Sequence, residues 1–276
     1  MASGFVVARI LGRNEILGQT LGLSKRELLA RAREQMETEG SRPSRTLRQR
    51  VALACRILFD NGHDSGLAGQ ITARGEKAGT FITQEFGVGF EETTASNLIL
   101  VDEDLSTLEG DAMPNPANRF HVWLYRTHPE VNCIIHTHAF HTATLSMLET
   151  PLVISHMDTC GLFQDCAFMQ EWPGLPFGNE EGQLISSQLG DKRAILLAHH
   201  GLLVATRSIE ESSFLALQFE RAARMQLLAS AVGRICEIAA DRAREAHDWL
   251  LSEEKRGLIF EYLARRALKQ HSDCLS

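Results

Sequence analysis

The sequence predicts one α/β domain with helices at both of its ends. Three observations carry this reading. Apolar residues recur with helical period near both termini. The middle of the chain holds short, β-branched apolar runs with glycine-containing turns between them. No internal repeat, low-complexity tract or linker interrupts the chain, and 276 residues suffice for one sizeable core without requiring two.

The elements follow in order. Residues 1–23 have weak periodicity, and their apolar patch (Phe5, Val6, Val7) is too short for the core of a signal peptide. Ser24 and Glu27 form a capping box that starts a helix over Lys25–Met36. Gly40, Pro43 and Ser44 break it. A second helix runs over Ser44–Phe59, with Leu47, Val51, Ala54 and Leu58 on one face. Asn61-Gly62 ends it with residues that tolerate positive φ. Ile71–Ala73, Phe81–Thr83 and Asn97–Val101 read as strands, and Glu91-Glu92 before Thr-Thr-Ala-Ser reads as a helix start. A helix spans Asn118–Thr127 and stops before Pro129. Val131–His136 is an apolar, buried strand, and His141–Leu148 a short helix. Residues 151–190, with Pro173, Pro176 and several glycines, read as irregular. Ala194–Leu197 and Leu202–Ala205 are two more strands, split by His199-His200-Gly201. A second capping box, Ser208 to Glu211, opens a long helix reaching Val232 or beyond, and charged helical sequence continues from Arg234 to Lys269.

Composition narrows the function. The chain is 44% hydrophobic and 23% charged, with a formal charge of -7. It has no global basic footprint, which argues against a nucleic-acid partner. No apolar run has the length of a membrane span, so no membrane partner is expected. The six cysteines form no CxxC pair, and several lie within apolar segments. They read as thiols of a reducing, cytoplasmic setting and disfavour cysteine-bound zinc.

Histidines carry the chemistry. The apolar strand ends in His136-Thr137-His138, and residues two apart on a strand share a face, so both imidazoles can converge on one point. A second apolar strand, Ala194–Leu197, runs into His199-His200-Gly201, where glycine allows a tight turn and a close approach. Three neutral imidazoles suit zinc, iron(II), cobalt or nickel, and leave positions open for water and substrate.

These motifs resemble those of the class II aldolase/adducin family. Arg119–His141 (RFHVWLYRTHPEVNCIIHTHAFH) is similar to the family's metal-binding segment, with Pro129, Val131, Ile134, His136 and His138 at its marked positions. Leu196–Leu202 resembles its "hydrophobic-x-[HN]-H-G-L" strand. Gly62–Arg74 resembles its glycine turn and following strand, and Phe81–Asp102 its adducin-type branch. The resemblance covers residues 45–232. It implies a three-layer α/β/α domain around a mostly antiparallel sheet. It implies a divalent cation on His136, His138 and His200: zinc first, with iron(II), manganese or cobalt as alternatives. His199 is set aside because the family ligand directly precedes glycine. It further implies a homotetramer with the site at a subunit interface. The domain plan is an N-terminal extension with the first helix over 1–43, the metal-binding domain over 44–232, and a helical extension over 233–276, packed on that domain or on a neighbouring subunit.

The sequence departs from the family's sugar-phosphate aldolases at one segment. Their acid/base glutamate falls on Ala117, and two phosphate-holding serines fall on Asn115 and Pro116. Gln70 replaces an asparagine of the glycine-turn motif. Alanine transfers no proton, so another base is needed: His121 one turn further along, a metal-bound hydroxide, or a neighbouring subunit's group. The lost hydroxyls disfavour a phosphorylated sugar. Arg119 is a candidate clamp for a substrate carboxylate. His141 is a candidate for orienting a ligand, and His156 for lining the pocket. His63, His128, His247 and His271 are expected at the surface. The resulting expectation is a metal-dependent lyase that cleaves or decarboxylates a small hydroxy/oxo acid through an enediolate. The alternatives are an iron(II) oxygenase on the same scaffold, as in aminocoumarin-pathway relatives, and a non-enzymatic adducin-like module.

Overall fold

The computed structural model describes residues 20–39 and 43–276. The expectations for residues 1–19 and for the break at Gly40 lie outside the described residues. The described residues fall into two compact units. The first holds helix α1 (Lys25–Glu39), opened by the expected box: Glu27 Oε2 accepts from the Ser24 amide at 2.7 Å, and Ser24 Oγ accepts from the Glu27 amide at 3.3 Å.

The second unit, from Pro43 onward, begins with α2 (Leu47–Asp60). Its start lies later than Ser44 because Thr46 and Gln49 form a capping box of their own. Strands β1 (Gln70–Arg74), β2 (Thr80–Gln84), β3 (Leu98–Asp102) and β4 (Thr107–Glu109) follow. Next come α3 (Arg119–Thr127), β5 (Cys133–Thr137), α4 (Phe140–Ser146), β6 (Cys166–Met169) and α5 (Asn179–Leu189). The chain ends with β7 (Ala194–Leu197), β8 (Leu202–Thr206), α6 (Ile209–Ser230), α7 (Ala240–Leu250) and α8 (Glu253–Gln270).

The strands form one sheet in the order β4-β3-β2-β1-β5-β8-β7-β6, antiparallel except for the β6–β7 pair. Alternation along each strand builds a core on either face. One core joins Ile71, Cys133, Ile135, Leu196 and Val204 to the apolar sides of α2, α6 and α8. The other joins Ile134, Ile195, Leu197 and Leu203 to Phe120 and Leu124 of α3 and Ile185 and Leu189 of α5. The architecture is thus the expected three-layer α/β/α arrangement. Each such aliphatic side chain contributes about 2 kcal/mol by leaving water.

Three local expectations are corrected. Residues 151–190 contain a 3-10 turn (Met157–Leu162), β6 and α5. Helix α5 escapes the sequence pattern because Ile185 and Leu189 alone give it an apolar edge, and Gly182 lies where Trp123 of α3 leaves no room for a side chain. Glu91-Glu92 starts no helix: the chain turns there, and Glu92 Oε2 accepts from the Gly89 amide at 3.3 Å. The C-terminal helical stretch is interrupted between Ser230 and Ala240 and divided again at Leu251-Ser252. No helix among the described residues is long and apolar enough to cross a membrane.

Candidate metal centre

His136 sits near the C-terminal end of β5, beside the start of β8, where Thr137 faces Leu202. The β7–β8 connection, Ala198–Gly201, lies at this same end of the sheet. One nitrogen from each of His136, His138 and His200 falls within a group whose members all lie within 4.8 Å of one another. The cluster contains no carboxylate. The expected pair and the expected third ligand are therefore brought together, from two stretches of chain sixty-odd residues apart.

Local hydrogen bonds orient the His136 ring and fix the backbone at His138. His136 Nδ1 donates to the Leu202 carbonyl at 2.8 Å, since the carbonyl can only accept. The lone pair is thereby fixed on Nε2, 3.0 Å from His138 Nε2. Two imidazoles on one tetrahedral zinc stand about 3.4 Å apart at their nitrogens, so this pair is already at ligand spacing. Ser65 Oγ accepts from the His138 amide at 2.8 Å and fixes the chain where β5 ends. Gly201 is required by close approach: a Cβ there would stand 2.5 Å from the Thr137 carbonyl oxygen. His199 adopts φ 56°, and its ring turns outward to Glu149, 2.9 Å away. It is not part of the cluster.

Electrostatics keep the triplet neutral. Burial holds His136 well below the ordinary histidine range, and the charges His200 and His138 would carry add to this. Burial also lowers His138 and pushes His200 down to about 4. Three neutral imidazoles with converging ring nitrogens are the donor set a divalent cation takes, so the residues present fit the ion.

The other predicted residues divide. His121 is fully buried on the His136 side of the sheet, with Nδ1 2.8 Å from Thr72 Oγ1. Arg119 is not brought to the histidines. Its guanidinium donates to the carbonyls of Glu103 and Asp104, both at 3.1 Å. That turn follows Asp102, three strands from β5 and at the opposite end of the sheet, because Leu98 rather than Asp102 aligns with the Gln70–His136 end. Ala117 is buried in a 3-10 turn leading into α3, and Asn115 holds that turn by accepting from the Ala117 amide and donating to the Leu67 carbonyl. His156 caps the Met157–Leu162 turn and does not reach the triplet. His63 and His247, expected at the surface, are buried. His63 backs the ligand strand, with Nδ1 2.9 Å from Thr137 Oγ1.

Sequence reasoning missed Glu220. This α6 carboxylate accepts from the amides of His141 and Thr142 at 3.1 and 2.9 Å, and lies 2.6 Å from His141 Nδ1. It caps the helix that follows the ligand pair, and occupies His141 in doing so. The available signal was a glutamate within the apolar run Phe219, Ala222, Ala223.

The sequence and the fold both have counterparts among known proteins. Residues 49–227 match the family described as Class II Aldolase and Adducin N-terminal domain. Decarboxylase NovR of Streptomyces niveus is 33% identical over 202 residues, covering 72% of this chain and 75% of that protein. The 4-hydroxy-3-prenylphenylpyruvate oxygenase/4-hydroxy-3-prenylbenzoate synthase of Streptomyces roseochromogenus subsp. oscitans is 32% identical over 202 residues, covering 72% and 73%. Among solved structures, an L-fuculose 1-phosphate aldolase from Glaciozyma antarctica PI12 superposes with a TM-score of 0.77 at 26% identity, covering 86% of this chain and 97% of that one. With the family pattern spanning well over half its length, the chain belongs to the class II aldolase/adducin family.

Proposed function

We propose that this chain is a divalent-metal-dependent carbon–carbon lyase acting on a small hydroxy/oxo acid without a phosphate, by aldol cleavage or decarboxylation. Membership of the family, with a decarboxylase and an aldolase among its relatives, supports a lyase-like enzyme. The observation that carries the reading is the convergence of His136, His138 and His200, which would hold the cation. When bound, the cation supplies a Lewis acid that draws charge from a substrate carbonyl or carboxylate oxygen. Zinc is the first choice, with iron(II), manganese or cobalt as alternatives.

The chain's own residues define the rest. Leu202 sets the orientation of the His136 ring, and Ser65 fixes the backbone at His138. Ala117 offers no proton-transferring group, so His121 is the candidate base. Asn115 is occupied in holding its own turn, which supports a substrate lacking phosphate. Arg119 is engaged by the Glu103 and Asp104 carbonyls and takes no clamp role. Helix α4 and the turn after it, directly following His136 and His138, leave Phe140, Met147 and Leu148 exposed. Those side chains support a homo-oligomeric protein, tetrameric by analogy with the family.

One observation favours a second reading. A relative with 32% identity is named as an oxygenase, and an all-histidine site also suits iron(II). Anaerobic purification, metal analysis and turnover of hydroxy-oxo acids separate the two. Oxygen-independent cleavage with a bound cation supports the lyase, whereas iron with oxygen uptake supports the oxygenase. A protein that binds no metal and is indifferent to His136→Ala is a non-enzymatic module.

A further inference from the structure

The hydrogen bonds around His121 determine which of its nitrogens carries the proton. The ring is fully buried, and burial pushes its pKa down to about 3, so it is neutral at ordinary pH. Its Nδ1 lies 2.8 Å from Thr72 Oγ1. Thr72 Oγ1 lies 3.0 Å from the Tyr125 hydroxyl, which also donates to the Thr72 carbonyl at 2.9 Å. These three contacts share three protons, one each from imidazole, threonine and tyrosine. The tyrosine proton goes to the carbonyl, which only accepts. The threonine proton then fills the contact between the two hydroxyls. The imidazole proton is left to Nδ1, donating to Thr72. In the opposite tautomer two protons would serve three contacts, and the third would sit on Nε2, which is buried and has no partner among the described residues. A buried N–H without a partner is the rarer and costlier orphan.

The location gives this lone pair a use. In the β1–β5 ladder Gln70 faces His136 and Thr72 faces Ile134, so Thr72 and His136 share a face two positions apart. The Phe120 ring packs edge-on against both His121, at 4.5 Å, and His136, at 5.2 Å. Ala117, one helical turn before His121, adds no bulk. Gln70 Oε1 and Asn118 Oδ1 are likewise buried without partners.

We propose that Thr72 and Tyr125 are positioning residues that hold His121 as the Nδ1–H tautomer, so that Nε2 is the proton acceptor of the reaction. This rests on the lyase reading above, in its aldol-cleavage form. The substrate hydroxyl gives its proton to Nε2 and its oxygen closes a new carbonyl. The pair from the breaking carbon–carbon bond moves into the neighbouring carbonyl as an enediolate. The proton on Nε2 then returns to carbon.

Nitrogen-15 histidine NMR on the full chain reads the tautomer without any variant, and turnover of hydroxy-oxo acids reads the rate. The expected result is Nδ1–H for His121 in the wild type. Tyr125→Phe and Thr72→Val should move it to Nε2–H and lower kcat about 100-fold, with KM and metal content unchanged. Thr72→Ser should keep both tautomer and rate. A wild type that cleaves but shows Nε2–H overturns this inference alone, as do variants whose tautomer moves without loss of rate. A wild type that shows Nδ1–H yet cleaves no hydroxy-oxo acid overturns the lyase reading, and the proton-acceptor role with it.

Discussion

Gly201 stands against the His138 ring with no room for a side chain, since a Cβ at 201 would lie 2.7 Å from His138 Cδ2. Its other near neighbour is backbone, so no flexible chain end can yield. Gly201→Ala is expected to displace His138 or the turn that carries His200. Metal affinity should fall about 10- to 100-fold, as when other groups that orient ligands are lost. Competition with a chromophoric chelator measures this, and an unchanged affinity would contradict the close-approach role.

Glu220 joins α6 to the first turn of α4. Burial alone would raise its pKa, but hydrogen bonds from Thr142 and His141 outweigh it and lower the value. Its stabilisation is therefore present above the ordinary glutamate pKa and is lost as pH falls through the lowered folded value. Removing the cap in Glu220→Ala should cost about 1–2 kcal/mol. Thermal unfolding should show a lower Tm at neutral pH, with the gap to wild type closing as acid is added. A gap that widens in acid would refute the linkage.

His247 behaves in the opposite sense. Its hydrogen bond to Asp165, 2.8 Å, raises its pKa against the effect of burial, and Asp248 adds to the rise. The contribution is complete below the ordinary histidine pKa of about 6.5 and is lost as pH rises through the higher folded value. His247→Gln should thus be most destabilising in mild acid and least so in alkali. Denaturant midpoints across that range test it, and a penalty independent of pH would count against it.

Metal retention should persist in acid. Cations compete with protons for imidazole lone pairs, and burial has already lowered His136 and pushed His200 down to about 4. Dialysis at stepped pH should release the ion only well below the ordinary imidazole pKa of about 6.5. Release on crossing the ordinary value would show that the three rings are not preset to the neutral state.

Much of this centre is legible in the sequence, because local patterns encode it. Period-two alternation aims His136 and His138 together, and an apolar strand before His199-His200-Gly201 carries the third ring to the same end of the sheet. Ala117 announces the absence of the family glutamate. What stayed hidden depends on long-range pairing. Arg119 carries the right charge for a clamp, but only the β2–β3 register reveals that its partners Glu103 and Asp104 lie at the far end of the sheet. His63 and His247 look like surface residues until Thr137 and Asp165 are seen beside them. The Thr72–Tyr125 contact joins residues 53 apart and has no sequence signature.

Metal content per chain, measured on protein purified without chelator, tests the centre most directly. About one divalent cation per chain is expected in the wild type, falling to almost none in His200→Ala while the protein stays folded. A folded wild type unable to take up a divalent cation, or a His200→Ala variant that keeps its full complement, would contradict the assignment of His136, His138 and His200 to a single ion.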